Sequence, residues 1–246
     1  MSQMTDFTLP SCVPGRTLHA FRCVPEGEVR AILQLSHGMV EFIDRYKPLA
    51  EYLAARGILV TGHDHLGHGG SIRTKADYGY FAQPDGNRAV LDDLHAVTAL
   101  TKQLYPGVPY FLLGHSMGGR AVSVYLKDSI KAAALWAPAD NTGLDGLEFL
   151  DHSAEGRQAI YDGAIQNGVL DLPKWGVTIS ADFVQQVADQ DPTASLRTYN
   201  GPLLLAYTAG DAELLSQTTI DLTCQAAAEH SGPLVDLTGQ YEDATH

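Results

Sequence analysis

Residues 111–119 read Phe-Leu-Leu-Gly-His-Ser-Met-Gly-Gly, a strand, a tight bend and the start of a helix in nine residues. An apolar run from Tyr110 to Leu113 has the length and composition of a buried strand. It runs directly into Gly114-x-Ser116-x-Gly118, after which Met117 to Lys127 carries apolar residues at helical spacing. A serine on so sharp a strand-to-helix turn has strained backbone angles, and glycines two before and two after it let neighbouring backbone pass without a Cβ clash. Its hydroxyl then projects into a cleft. The Met117 N–H, first in the helix, has no partner within it, and the helix dipole favours negative charge nearby.

Working outward, short apolar runs alternate with longer segments of helical period, the pattern of a parallel sheet with crossover helices. The runs are 31–35, 58–61, 110–113, 132–136, 203–207 and 234–237; the helical segments are 45–56, 87–104, 117–127 and 213–230. Phe7, Leu9, Leu18 and Phe21 suggest an antiparallel hairpin at one sheet edge. About sixty residues from Asp140 to Asn200 break the alternation, and loops that long are rarely structureless, so a small helical cap is expected over the sheet. The predicted organisation is an α/β core of residues 1–139 and 201–246 with a cap insertion at 140–200. The cap segment holds ten acidic and three basic residues.

A net charge of −13 disfavours nucleic acid and anionic membrane surfaces as partners. Three cysteines, Cys12, Cys23 and Cys224, suggest neither a disulfide framework nor a zinc knuckle. The N-terminus lacks the basic start and apolar core of a secretory signal, and no run of about 18 apolar residues occurs. A cytoplasmic location, without membrane insertion, is the expectation.

A second loop of chemical interest is Ser36-His37-Gly38-Met39-Val40, again at the carboxyl end of an apolar strand, where chemistry gathers in α/β sheets. The N–H groups of Met39 and Met117 could converge on one oxyanion, although His37-Gly38 could equally form a plain strand-exit turn. Together, His37-Gly-Met-Val-Glu-Phe-Ile-Asp-Arg-Tyr46, Asp64-His-Leu-Gly-His-Gly69 and Gly114-His-Ser-Met-Gly-Gly119 resemble the lysophospholipase and monoacylglycerol lipase group of α/β-hydrolases. The likeness is closest over residues 7–139. It implies an α/β-hydrolase fold, Ser116 as nucleophile, oxyanion donors at Met39 and Met117, and supporting roles for His37, Gly38, Gly114, His115 and Gly118. Beyond Ala139 the likeness weakens, and the cap's length is more similar to that of bacterial cinnamoyl or feruloyl esterases.

A serine hydroxyl needs a base, and the base an orienting carboxylate, which in this fold follow in the order serine, acid, histidine. Counting forward from Pro202 puts the acid on Asp211; counting back from Leu214 and Leu215 puts that position on Ala212, with Glu213 in reserve. Asp211 could alternatively be a helix cap. Of the two histidines that follow, His230 reads as a helix-end residue, and His246, after a loop similar to the family's histidine loop, is the chosen base. Family members continue with a further helix that holds this loop, so a chain ending at His246 is expected to be weakly active. The resulting expectation is an ester hydrolase acting on small-molecule or lipid esters through Ser116, Asp211 and His246, with no cofactor and no metal. Two other classes compete. His63-Asp-His65-Leu-Gly-His68 superficially matches a metal-ligand run, and an incomplete triad would leave a binding scaffold.

Overall fold

The structure, a computed structural model, describes residues 2–127 and 129–240. In chain order its strands and α-helices are β1 (Gln3–Pro10), β2 (Thr17–Val24), β3 (Ala31–Ser36), α1 (Lys47–Ala54), β4 (Ile58–His63), α2 (Gly86–Leu104), β5 (Tyr110–His115), α3 (Met117–Tyr125), β6 (Ala132–Trp136), α4 (Ala154–Asn167), β7 (Val169–Leu172), β8 (Val177–Ser180), α5 (Ala181–Asp189), α6 (Thr193–Thr198), β9 (Leu203–Ala206), α7 (Gln217–Glu229) and β10 (Leu234–Asp236). Eight strands form one sheet in the order β1-β2-β4-β3-β5-β6-β9-β10. The β1–β2 hairpin lies antiparallel at one edge, and the six strands from β4 to β10 pair in parallel. Parallel strands need long crossovers, which the amphipathic helices supply.

Period-two alternation sends Ile32, Leu112, Ala133, Leu135, Leu203 and Leu205 to one face, where they pack with α3, α6 and α7 residues such as Val122, Leu196, Ile220 and Ala226. On the other face, Leu33, Ile58, Phe111, Ala132, Ala134, Leu204 and Val235 line an apolar groove of about 360 Å³.

The segment between Asp140 and Asn200 is not purely helical. Besides α4 and α5 it contains the antiparallel β7–β8 hairpin, which turns through Pro173–Gly176. Its four-residue strands alternate too briefly to stand out in the sequence. α6, at the end of the same segment, packs against α3 and α7 beside the sheet rather than over it. Phe81, Leu94, Met117, Leu147, Leu172, Ile179 and Phe183 form the apolar contact between core and overhanging segment.

Arg120, one turn after Ser116 on α3, joins the two layers with polar bonds. It is 3% exposed, and its guanidinium donates to the carbonyls of Ala139 and Asn141 and, across the layer, of Val187 (2.8 Å) and Gln190 (3.1 Å). The last two lie at the carboxyl end of α5, where unpaired carbonyls favour a cation. Asp140, fully buried nearby, accepts from Ser123 Oγ.

Candidate active site

Sheet register sets the site. His115 of β5, Trp136 of β6 and Ala206 of β9 stand level across three adjacent strands, so the segments after them leave the sheet at one edge. Ser116 is held at φ 53°, ψ −121°, outside the regions a side chain normally tolerates. Its backbone is tied on three sides: its N–H donates to Trp136, and its carbonyl accepts from Arg120 and Ala139. A β-carbon on Gly114 would stand 2.3 Å from the Gly118 carbonyl oxygen, and one on Gly118 2.2 Å from that of Ser36. Both glycines are therefore steric requirements of the bend.

The loop after β3 lies against this bend. A β-carbon on Gly38 would stand 3.1 Å from Ser116 Cβ. His37, fully buried, fixes the loop from below: its Nδ1 lies 2.8 Å from the Gly38 carbonyl and its Nε2 accepts from the His65 N–H at 3.0 Å. That pattern requires the neutral Nδ1–H ring, and burial pushes the imidazole down to about 3. Val40 stands at φ 58°, which is strained for a β-branched residue. Met39, Val40, Ser116 and Met117 face one cavity of about 260 Å³. Its remaining wall is mostly apolar, with Leu147, Phe149, Trp175, Phe183 and Val187 from the overhanging segment and Leu214 and Leu215 from the loop after β9. Phe149 and Trp175 stack at 5.1 Å. Among the described residues the Met39 N–H has no acceptor, and the Met117 N–H, opening α3, lies outside the helical ladder.

Asp211 is 1% exposed, in a short 3₁₀ turn at Ala209–Glu213. Its carboxylate accepts from the Thr208 N–H at 2.7 Å as the N3 half of a capping box, so the N-cap of this turn is Thr208 and not Asp211. The turn emerges at the same sheet edge as Ser116. Glu213 is exposed in the same turn. His230 caps α7, with Nδ1 2.6 Å from the Ala227 carbonyl. It precedes Gly232, which packs on Asn200–Gly201 at the start of β9, so it lies at the sheet edge opposite Ser116. His246 lies outside the described residues.

The suspected metal run is buried instead. His63, His65 and His68 are at most 1% exposed and gather on His37, with ring centroids 4.4 Å (37–65), 5.4 Å (37–68) and 5.1 Å (63–65) apart. Burial lowers His63 and His68 to about 4 and His65 well below its usual value. Their nitrogens do not converge; among the described residues the one group of three potential ligands with donor atoms within 4.8 Å is Asp6, His19 and Asp44, whose carboxylates Lys47 already pairs. Asp64 accepts from the Ile43 and Gly70 N–H groups, fixing the turn that carries the cluster.

Sequence reasoning did not assign Glu41. Its side chain is largely buried, and Oε2 accepts from the Gly38 N–H (2.7 Å) and the Tyr46 hydroxyl (3.0 Å) while facing His115 Nδ1 (2.9 Å). Arg45 pairs with Oε1. Burial would raise this carboxyl, but the His115 and Gly38 hydrogen bonds and nearby positive charge outweigh it and hold it at about 2.

The sequence profile described as serine aminopeptidase, S33, matches residues 27–158, more than half of the chain. The chain belongs to the S33 family. Monoglyceride lipase from Homo sapiens is 40% identical to this S33 hydrolase over 103 residues, covering 39% of this chain and 29% of that enzyme. The chain thus aligns with less than a third of that relative's length. Among solved structures, a thermostable carboxyl esterase from Bacillus coagulans superimposes with a TM-score of 0.72 at 16% identity, covering 97% of this chain and 91% of the other. Est1E from Butyrivibrio proteoclasticus with bound ferulic acid gives 0.69 at 19% identity, with 92% and 87% covered. These likenesses establish the α/β-hydrolase fold. Among the described residues no helix is long and apolar enough to cross a membrane.

Proposed function

We propose that this S33 hydrolase cleaves carboxylic esters by way of an acyl-enzyme; its likeness to proteins named monoglyceride lipase supports the ester as the bond cleaved. The observation that carries the reading is Ser116 on a positive-φ bend, facing an apolar cavity beside two backbone amides. Ser116 Oγ attacks the ester carbonyl carbon and passes its proton to the imidazole of His246, oriented by Asp211. The carbonyl π electrons move to oxygen, and the N–H groups of Met39 and Met117 receive that oxyanion. Collapse expels the alcohol, which takes the proton from the imidazolium; water then repeats the sequence on the acyl-enzyme.

The cavity wall suits an apolar acyl group, and its placement under the overhanging segment suits a substrate presented singly. The Phe149–Trp175 stack favours one variant of this reading, an aromatic acyl group of the feruloyl kind. Turnover of p-nitrophenyl esters from C2 to C16, monoacylglycerol and methyl ferulate, combined with a fluorophosphonate label, tests the proposal. Labelling at Ser116 with a preference for C8 and longer chains supports the lipase-like reading; selective ferulate turnover supports the variant. A properly folded protein that resists the label is a binding scaffold, and the proposal is then wrong.

A further inference from the structure

We infer that Glu41 is a positioning residue whose charge holds the two amides of the oxyanion site in register. The inference rests on the hydrolase reading above and adds to it a residue to which no part of that mechanism assigns work.

The two amides come from separate elements. Met39 belongs to the loop after β3, and Met117 to the bend after β5. Hydrogen bonding of the strands fixes β3 against β5 through the Ser36–Gly114 pair, but the loop then runs free of the sheet. Beyond that point, among the described residues, the Glu41 carboxylate bonds to both. Glu41 Oε2 holds the Gly38 N–H, directly before Met39, and His115, directly before Ser116. Tyr46 donates to the same oxygen, and Arg45 pairs with Oε1. Three donors on one oxygen exceed what a neutral amide or acid would accept equally well, so the arrangement calls for a full negative charge. The low proton affinity of this carboxyl agrees with that.

The loop also needs holding. Val40 at φ 58° stores strain on the order of 1–3 kcal/mol, and without a tether the chain would relax by rotating the peptide units on either side of it. One of those units joins Met39 to Val40, next to the Met39 N–H proposed as an oxyanion donor. Glu41 closes the turn over this residue twice, by its carboxylate on the Gly38 N–H and by its own N–H to the Gly38 carbonyl at 3.3 Å. The fit is close: a β-carbon at Gly38 would stand 3.0 Å from Glu41 Oε2 and 3.2 Å from His115 Nδ1. Loss of the charge thus allows the Met39 amide to drift while leaving the cavity walls, and so ground-state binding, in place.

The test compares E41Q, of the same shape but neutral, with the unaltered protein. E41Q is expected to lose about 10- to 100-fold in kcat on p-nitrophenyl butyrate, with KM within about twofold, because misplacement of an oxyanion donor acts on the transition state. Affinity for a trifluoromethyl ketone, which forms the tetrahedral adduct, should fall in step with kcat/KM. E41D, which keeps the charge on a shorter arm, should recover part of the loss. A purely structural Glu41 would instead lower Tm and leave kcat per folded molecule unchanged, and that result overturns the inference. Should E41Q fail to fold, H115Q removes one arm of the tie and must show the same kcat loss with KM held; an unchanged kcat again overturns it. In a double-mutant cycle E41Q and H115Q should be strongly non-additive, whereas additive losses count against a shared role. Wild-type protein that hydrolyses esters and labels at Ser116 while E41Q matches it refutes the Glu41 role alone. Wild-type protein inert to both ester and label refutes the hydrolase reading and this inference with it.

Discussion

Acidifying from pH 7 to pH 5.5 is expected to lower this protein's stability by about 4 kcal/mol. The cause is the cluster of His37, His63, His65 and His68, four rings buried together and kept neutral. In the unfolded chain each titrates near 6.5, whereas in the folded protein burial holds His37 to about 3, His63 and His68 to about 4, and His65 well below its usual value. Folded values lie below unfolded ones, so the unfolded chain binds more protons and stability falls as pH falls from about 7 toward 4. Each ring costs about 1.2 kcal/mol over that first interval, and the four together about 5 kcal/mol. Asp140 acts in the opposite sense: burial raises it to about 6, so it takes up a proton while folded and returns about 1 kcal/mol. The net loss, about 4 kcal/mol, approaches the lower end of the roughly 5–15 kcal/mol by which domains are stable. Urea unfolding at half-unit steps from pH 7.5 to 5 measures it, and near pH 5.5 the slope should correspond to a net uptake of about three protons, the four rings less most of one for Asp140. His63 makes no hydrogen bond to any described residue, so H63F should reduce that uptake by about one proton without a large penalty at pH 7.5. A slope under one proton would mean that the rings charge within the folded protein, and the account of the cluster would be wrong.

Three further outcomes follow from the geometry. S116A should keep the fold and lose fluorophosphonate labelling and at least about 10⁴-fold of kcat, measured as single-turnover acylation. G118A places a β-carbon 2.2 Å from the Ser36 carbonyl oxygen and should cost about 3 kcal/mol or more, visible as a lowered urea midpoint or failure to fold. R120K cannot reach all four carbonyls that Arg120 serves, so it should destabilise by about 2–4 kcal/mol and speed proteolysis within residues 140–190 ahead of the core.

The parallel sheet was legible because its strands read as short, nearly unbroken apolar runs separated by segments of helical period, and β6 agrees with its run at both ends. The nucleophile bend was equally legible, since a local steric demand has to be met by local glycines. The β7–β8 hairpin was not, because four residues cannot establish a period. Nor were Glu41 and Arg120, whose partners stand far along the chain: Glu41 acquires meaning from His115, 74 residues away, and Arg120 from Val187 and Gln190. The histidines after β4 were visible as a motif, yet nothing in their spacing revealed that they would be buried together with His37.

Arg120 divides the roof above Ser116 into a fixed part and a removable one. α5 is fastened to the body of the molecule by that guanidinium and by Gln186 and Gln190, which bind Asn87 on α2. α4, by contrast, rests on α5, β7 and the turn at Gly143–Leu147, all within the roof itself. An engineer wishing to alter which molecules gain entry could therefore rebuild or graft the α4 tier as a replaceable tile, while treating α5 as masonry that shares a foundation with the reacting serine.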